Sequence, residues 1–528
     1  MKSLMKRVFA AAAAIATVFG LAATTVATAN AADNATLTVS TTDAKFAGKT
    51  VNAYKMFSAT VSGDGKAVSY TLTDEWKPFF KNSVGLTGVT DENVNDKAND
   101  YVSKLKDSTL VAFATKASNW AQTKANNITA DATATVSADA SNGKYTATFT
   151  GLGYGYYVVA VPGATLANAK SQYATLVSVH STKVDADIKG DLPTVDKKVQ
   201  VDGTGKDATD AKIGDTLTFT LTSTIPDMSA YDTYTFNFKD TLSKGLTFGQ
   251  VKSVKVENVT LTENTDYTVT TPTASNNNTL TVAMKDFKTK QQANAGKKIT
   301  VTYTATLNEN AVVGGAGNVN SAKIQYSNNP SSGGTGESEP SKVRVFTYGF
   351  TVDKYTGDQY TDAATRLAGA EFTLAHKDGS AISFVQVSAG SATANAVYRV
   401  AKAGETGTTT ITTPANGKVV FEGLENGEYT LTETKAPAGY NKLASAIGVK
   451  VDGQNNGTDT TNATVTITYN NDNGNDYNQT ASNGVIPVQN KSGAILPGTG
   501  GMGTIAFTVI GVLVIALGVA WTLKRKNA

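Results

Sequence analysis

The chain has 528 residues, a net charge of +3 and no cysteine. That length exceeds one ordinary domain, the near-balanced charge, with no basic cluster outside the termini, gives nucleic acid no electrostatic footprint, and a chain without thiols must hold its domains by burial or by a bond other than a disulfide. It is rich in Thr, Val, Ala, Asn and Gly and poor in Leu-rich helical patterns, so it reads as mostly β.

Lys2, Lys6 and Arg7 precede an apolar run from Val8 to Ala23, and Ala29-Asn30-Ala31 offers a small-residue cleavage site. This is the pattern of a secretory signal peptide over residues 1–31. A retained N-terminal anchor is the alternative, against which the apolar core is short for a span. Residues 32–189 form the first predicted domain. Leu37-Thr38-Val39, Thr146-Ala147-Thr148-Phe149 and the run from Gly151 to Val159 read as strands, and Tyr101 to Ala125 reads as helical, with Tyr101, Leu105, Val111, Phe113 and Trp120 as apolar points. Residues 190–341 form the second, with clean alternation in Leu217-Thr218-Phe219-Thr220-Leu221 and Val301-Thr302-Tyr303 and a loop favoured at Asn329-Pro330-Ser331-Ser332-Gly333-Gly334. Residues 342–492 form the third, with strands near Phe350, Phe372, Val419, Tyr429 and Val465. The expected architecture is a tandem of immunoglobulin-like β-sandwiches, the N-terminal one with a helical insertion. In 493–528, Leu496-Pro497-Gly498-Thr499-Gly500 stands before an apolar stretch from Met502 to Leu523, long enough to cross a bilayer, and the basic tail Lys524-Arg525-Lys526.

Strand alternation places side chains two apart on one face. In the third domain Phe350 and Val352 therefore share a face with Lys354, Tyr429 and Leu431 with Glu433, and Ile486 and Val488 with Asn490. An amine, a carboxyl and a carboxamide are expected to face the core. A buried Lys–Glu ion pair with the asparagine in a turn is one account. The other is chemical: an apolar site lowers a lysine pKa and raises a glutamate pKa, so a neutral amine can attack the carboxamide while the acid moves protons, releasing ammonia and leaving an isopeptide crosslink. The second domain repeats the pattern: Val195 and Val199 flank Lys197, Tyr234, Phe236 and Phe238 share a face with Asp240, and Ile324 and Tyr326 align with Asn328. In the first domain, Lys55 shares parity with Val51, Ala53 and Phe57, but Val158-Val159-Ala160-Val161 carries no carboxylate where a partner would sit. A snorkelling lysine and no crosslink are expected there.

Several of these segments resemble known families. The order of Leu496-Pro497-Gly498-Thr499-Gly500, span and basic tail is similar to the LPXTG sorting signal of Gram-positive surface proteins, which implies sortase cleavage between Thr499 and Gly500 and a transient span. Tyr429-Thr430-Leu431-Thr432-Glu433-Thr434-Lys435-Ala436-Pro437-Ala438-Gly439-Tyr440 resembles the E-box of Cna-B-type domains, which implies a Lys354–Asn490 bond catalysed by Glu433. The segments around Lys197, Asp240 and Asn328 resemble the isopeptide-forming middle domain of fimbrial subunits, in which an Asp takes the catalytic part. The three-domain plan is similar to the major, shaft-forming subunits of sortase-assembled pili. In that family a junction lysine, often in a Y-P-K motif, accepts the threonine of the next subunit. This chain lacks the tripeptide, and Lys189 is the best equivalent, with Lys183 the runner-up.

What the resemblance implies is a structural fimbrial subunit, not an enzyme beyond its own autocatalytic bonds, secreted and anchored to cell-wall peptidoglycan. Its expected partners are pilus-specific and housekeeping sortases, other copies of itself, a tip pilin and an unidentified host surface ligand that would support adhesion. A monomeric LPXTG-anchored adhesin is the alternative. A surface hydrolase fits poorly: there are two histidines, His180 and His376, and no nucleophile-elbow, zinc-helix or phosphate-loop pattern. The run from Asn470 to Asp476 offers oxygen ligands but lacks the spacing of a calcium loop, and turn chemistry accounts for it. No metal or other cofactor is expected.

Overall fold

The structure, a computed structural model, describes residues 34–139, 143–164, 174–328, 333–358, 362, 365–454, 463–471, 476–493 and 502–526. The expected signal peptide and Leu496, Pro497, Gly498, Thr499 and Gly500 lie outside the described residues. The chain is mostly β, and it divides into two compact units, one running to Tyr348 with 453–464, the other comprising Gly349–Asp452 and the chain from Val465 on.

The first unit opens with a sandwich. In one sheet, Ala35–Thr41 lies between Lys144–Leu152, antiparallel, and Lys183–Asp187, parallel. Its alternation buries Ala35, Leu37 and Val39 completely. In the other sheet, the long strand Thr50–Val61 pairs with Val68–Leu72, Ala132–Thr135 and Gly155–Ala160. All six residues of Gly155–Ala160 are buried, because the strand is covered on both faces. Tyr157 and Val159 point into the sandwich with Phe149, while Tyr156, Val158 and Ala160 meet a helical layer containing Trp76, Phe79, Phe80 and Phe113. That layer is the expected insertion with different bounds: the helical reading of Tyr101 to Ala125 breaks into Val94–Ser103 and Asp107–Gln122. The second helix buries Phe113, Ala114, Ala117 and Ala121, a stripe of small residues at helical spacing that carries little hydrophobic signal in sequence. Ile188, Leu192 and Val195 are buried in one cluster with both neighbouring cores, so the apolar interior is continuous past the junction.

The second sandwich of this unit has two sheets. One runs in the order Thr204–Lys206, Asp196–Val201, Thr216–Thr224, Lys298–Leu307, Leu246–Val256, Val259–Thr260. The other runs Ala208–Asp210, Ser341–Phe346, Asn318–Ser327, Phe236–Leu242, Thr279–Met284, Tyr267–Thr270. Phe219, Leu221, Val301 and Tyr303 from the first pack with Phe236, Phe238, Ile324 and Tyr326 from the second.

The second unit pairs a five-stranded sheet with a six-stranded one. In the former, the first strand, Tyr348–Tyr355, lies beside the last, Val485–Gln489, in parallel, with Lys354 opposite Val488. In the latter, Gly427–Lys435 is central, between Glu371–His376 and Ile447–Gln454. A helix, Met502–Lys526, covers the expected span, and its described side chains from Thr508 to Leu523 are exposed. Over the residues whose side chains are described, which in this helix begin at Thr508, no helix is long and apolar enough to cross a membrane, so the span remains an expectation from sequence.

Candidate functional site

The strand Tyr348–Tyr355 turns Phe350, Val352 and Lys354 inward, and Gly427–Lys435 does the same with Tyr429, Leu431 and Glu433. Asn490 follows the last strand directly, and its backbone N–H donates to the Tyr355 carbonyl at 2.9 Å. The three side chains meet in the core, each no more than 2% exposed. Lys354 Nζ lies 3.4 Å from Glu433 Oε1 and donates to the Val488 carbonyl at 3.2 Å. Asn490 Nδ2 donates to Glu433 Oε2 at 3.0 Å and to the Asn441 carbonyl at 2.8 Å, and the Leu443 N–H donates to the same glutamate oxygen at 2.8 Å. Asn490 Oδ1 is buried without a hydrogen-bond partner. The carboxyl thus spans the amine and the amide nitrogen, and the amide oxygen is left without a partner. A buried polar atom left unpaired in a stable fold calls for an explanation.

The first unit holds a second cluster with the same three groups and one more. Lys197 and Asp240 are fully buried and ion-paired. Lys197 Nζ also donates to the Tyr303 hydroxyl at 2.8 Å, and the rings of Phe219 and Tyr303 lie 5.1 Å from it. The carboxamide here is Asn320, fully buried, whose Nδ2 donates to the Tyr303 hydroxyl at 2.6 Å, and Asn320 Oδ1 again has no partner.

Asn328, the carboxamide expected from sequence, is not in this cluster. It is half-exposed, with its amide against Gly334 and Gly336. Asn320 and Asn328 have the same parity, so alternation alone does not separate them. Antiparallel pairing does: Leu242 stands opposite Asn320 and Asp240 opposite Ala322, whereas Phe236 stands opposite Tyr326. Eight residues of strand set the two asparagines roughly 26 Å apart. The strand's direction is the missing information, and the inward-facing pair Asn318 and Asn320 is the signal that marks the other end. Sequence reasoning also missed Tyr303, whose place on the inner face is legible beside Val301, and Asp353, which is buried and paired with Arg366 Nε at 2.7 Å.

Burial pulls both amines down to about 8 from 10.5, and the adjacent carboxylates offset only part of that. A pH dependence follows for a chain whose amine is kept free by Asn490→Ala. Between about 8 and 10.5 the unfolded chain binds a proton on Lys354 that the folded chain does not, so unfolding free energy rises with pH. The destabilisation is fully present below pH 8 and relieved above 10.5, by about 3 kcal/mol. Urea midpoints of Asn490→Ala at neutral and alkaline pH, referred to Asn490→Ala/Lys354→Met, should diverge in that direction. Parallel midpoints would contradict the shifted amine.

Lys55 is half-buried at a bulge, with its ammonium 5.7 Å above the Tyr157 ring. Lys183 begins an edge strand and is exposed. Lys189 is 31% exposed, its ammonium 3.1 Å from Asp187 Oδ2. Asn470 is buried and accepts from the Gly448 N–H at 3.2 Å, while residues 472–475 lie outside the described residues.

Comparison with known proteins follows the same division. The family described as Gram-positive pilin backbone subunit 2, Cna-B-like domain, matches residues 213–330, and the SpaA prealbumin-like fold domain matches residues 358–466. The trypsin-resistant surface T6 protein of Streptococcus pyogenes serotype M6 is 26% identical over 279 residues, 48% of this chain and 44% of that protein. The match thus spans less than half the length of this curated relative. The T6 backbone pilin of the same organism, as a solved structure, is 18% identical, with 87% of this chain and 99% of that one covered at a TM-score of 0.45. The full-length major pilin SpaD of Corynebacterium diphtheriae is 19% identical, with 87% and 98% covered at a TM-score of 0.40. In tandem, then, the chain is similar to a Cna-B-like domain of the Gram-positive pilin backbone over residues 213–330 and to a SpaA-type prealbumin-like domain over residues 358–466.

Proposed function

We propose that this chain is the shaft subunit of a covalent surface fibre whose two carboxamide clusters close into isopeptide bonds, Lys197 to Asn320 and Lys354 to Asn490. The observation that carries the reading is the doubled cluster, in which a buried amine of lowered pKa stands with a carboxyl and a carboxamide inside a pilin-type sandwich. In each, the neutral amine attacks the amide carbon, a C–N bond forms, the carboxyl transfers the amine proton to the departing nitrogen, and ammonia leaves. Glu433 does this in the last domain and Asp240 in the middle one. No substrate is turned over, so the chain is a structural protein and not an enzyme.

Assembly rests on the termini. A sortase would cleave Leu496-Pro497-Gly498-Thr499-Gly500 after Thr499, with Met502–Leu523 as a transient span, and pass the threonine to Lys189 of another copy, or at the fibre base to peptidoglycan. A housekeeping sortase for the latter step and a tip pilin complete the partners, and adhesion to a host surface is the use of the fibre. Lys189 is half-buried and lightly held, which suits an acceptor, and Lys183 is the second candidate. Wall-digested cells boiled in detergent should release a ladder of covalent multimers, which Lys189→Ala should reduce to wall-attached monomer. Multimers that persist in Lys189→Ala with linkage peptides at Lys183 would move the acceptor, and a single band from the unaltered chain would favour the monomeric adhesin.

A further inference from the structure

We propose that the Tyr303 hydroxyl is a catalytic group of the middle-domain cluster, relaying the proton from Asp240 to the amide nitrogen of Asn320. This rests on the reading that Lys197 and Asn320 condense.

The two clusters solve one problem with different reach. In the last domain Glu433 contacts the amine through Oε1, at 3.4 Å, and the amide nitrogen through Oε2, at 3.0 Å. A single carboxyl touches both nucleophile and leaving group. Aspartate is one methylene shorter. Asp240 Oδ2 takes the amine, Oδ1 has no hydrogen-bond partner, and the contact to the amide runs through Tyr303. The phenol oxygen accepts from Lys197 Nζ at 2.8 Å and from Asn320 Nδ2 at 2.6 Å, and its proton is donated to Asp240 Oδ2 at 2.6 Å. Every hydrogen-bonding capacity of the hydroxyl is used, and all three partners are reacting groups.

The chemistry balances. Within the ion pair, the ammonium proton of Lys197 passes to Asp240, leaving a neutral amine. Its lone pair attacks Asn320 Cγ, the Cγ–Nζ bond forms and the C=O electrons move onto Oδ1. As Cγ becomes tetrahedral, Nδ2 loses amide conjugation and becomes basic, so its hydrogen bond to Tyr303 reverses. The phenol gives its proton to Nδ2 and recovers one from Asp240, the Cγ–Nδ2 bond breaks, and ammonia departs. The Oδ1 lone pair reforms the carbonyl as that bond breaks, and Asp240 then takes the surplus proton from the attacking nitrogen, leaving a neutral amide. Burial and the neighbouring Asp240 hold the Tyr303 hydroxyl well above its ordinary pKa, so it enters the sequence as a phenol with a proton to give.

The full chain carries its own control, because the Lys354–Asn490 reaction does not pass through this phenol. Mass spectrometry of crosslinked peptides, followed over time after purification, measures the closed fraction in each domain. In Tyr303→Phe the middle-domain bond should form at least ~10²-fold more slowly, with the last-domain bond unaffected. In Tyr303→Phe/Asp240→Glu the longer acid replaces the lost reach at nearly constant volume, and middle-domain closure should return. A purely structural tyrosine predicts no such rescue. Closure of Tyr303→Phe at the unaltered rate overturns the proposal, as does a folded double variant that stays open. If Tyr303→Phe alone does not fold, the double variant decides. An unaltered chain with Lys354–Asn490 closed and Lys197 free would instead overturn the condensation of Lys197 with Asn320, and the relay with it.

Discussion

Freshly folded full chain should weigh two ammonia molecules less than its processed sequence. Each deficit is all-or-none, because a released ammonia is lost to solvent and the amide remains. Proximity makes the reaction fast: groups held in attack geometry can behave as if at 10⁵–10⁸ M, in the range of roughly 7–11 kcal/mol of barrier. Glu433→Ala, Asn490→Ala, Asp240→Ala and Asn320→Ala should each restore one ammonia, and Asn328→Ala should restore none. The last pair distinguishes two residues of equal parity that lie at opposite ends of one strand. A full sequence mass in the unaltered chain would remove both bonds. Restoration by Asn328→Ala, with Asn320→Ala silent, would return the bond to the residue that sequence alone favours.

Loss of either crosslink should lower resistance to heat and denaturant sharply. A bond between residues roughly 120 to 140 apart restricts the unfolded chain as a long-loop disulfide does, worth about 5 kcal/mol in the chain-entropy account. Glu433→Ala should cost more than Asn490→Ala. Both leave the bond unmade, but Glu433→Ala also leaves the buried Lys354 ammonium without its partner, an effect of about 3–5 kcal/mol. Differential scanning of the two variants beside the unaltered chain measures this, and equal transitions in all three would show that the bond does not constrain the unfolded state.

The two domains should differ under tension. Lys354 sits on the first strand of its domain and Asn490 just after the last, so with the proposed bond closed a pull along the chain would pass through it and bypass the sheets between. In the middle domain the proposed bond would end at Asn320, and Ser341–Phe346 follows it as a further strand paired antiparallel with Asn318–Ser327. That strand would carry load through hydrogen bonds and the packing of Val343 and Val345, with no covalent crosslink.

Alternation alone was sufficient to place Lys354, Glu433, Lys197 and Asp240 on inward faces, because the side-chain period of a strand is two whatever the strand pairs with. The same rule supports the β-rich tandem and gives Asn328 an inward face, and Asn320, which the sequence reading did not single out, has the same parity. Choosing between them required the antiparallel partner, since parity carries no information about position along a strand, and only the register of Phe236–Leu242 against Asn318–Ser327 brings Asn320 beside Asp240. The helical layer over Gly155–Ala160 was legible as helix but not in its bounds, because alanines supply the buried stripe and its partner is a strand remote in sequence. Tyr303 belongs to the same class: nothing local distinguishes it from any other inward aromatic. It acquires its three polar partners only when strands from two facing sheets converge on one buried point, where burial makes an unpaired hydroxyl costly.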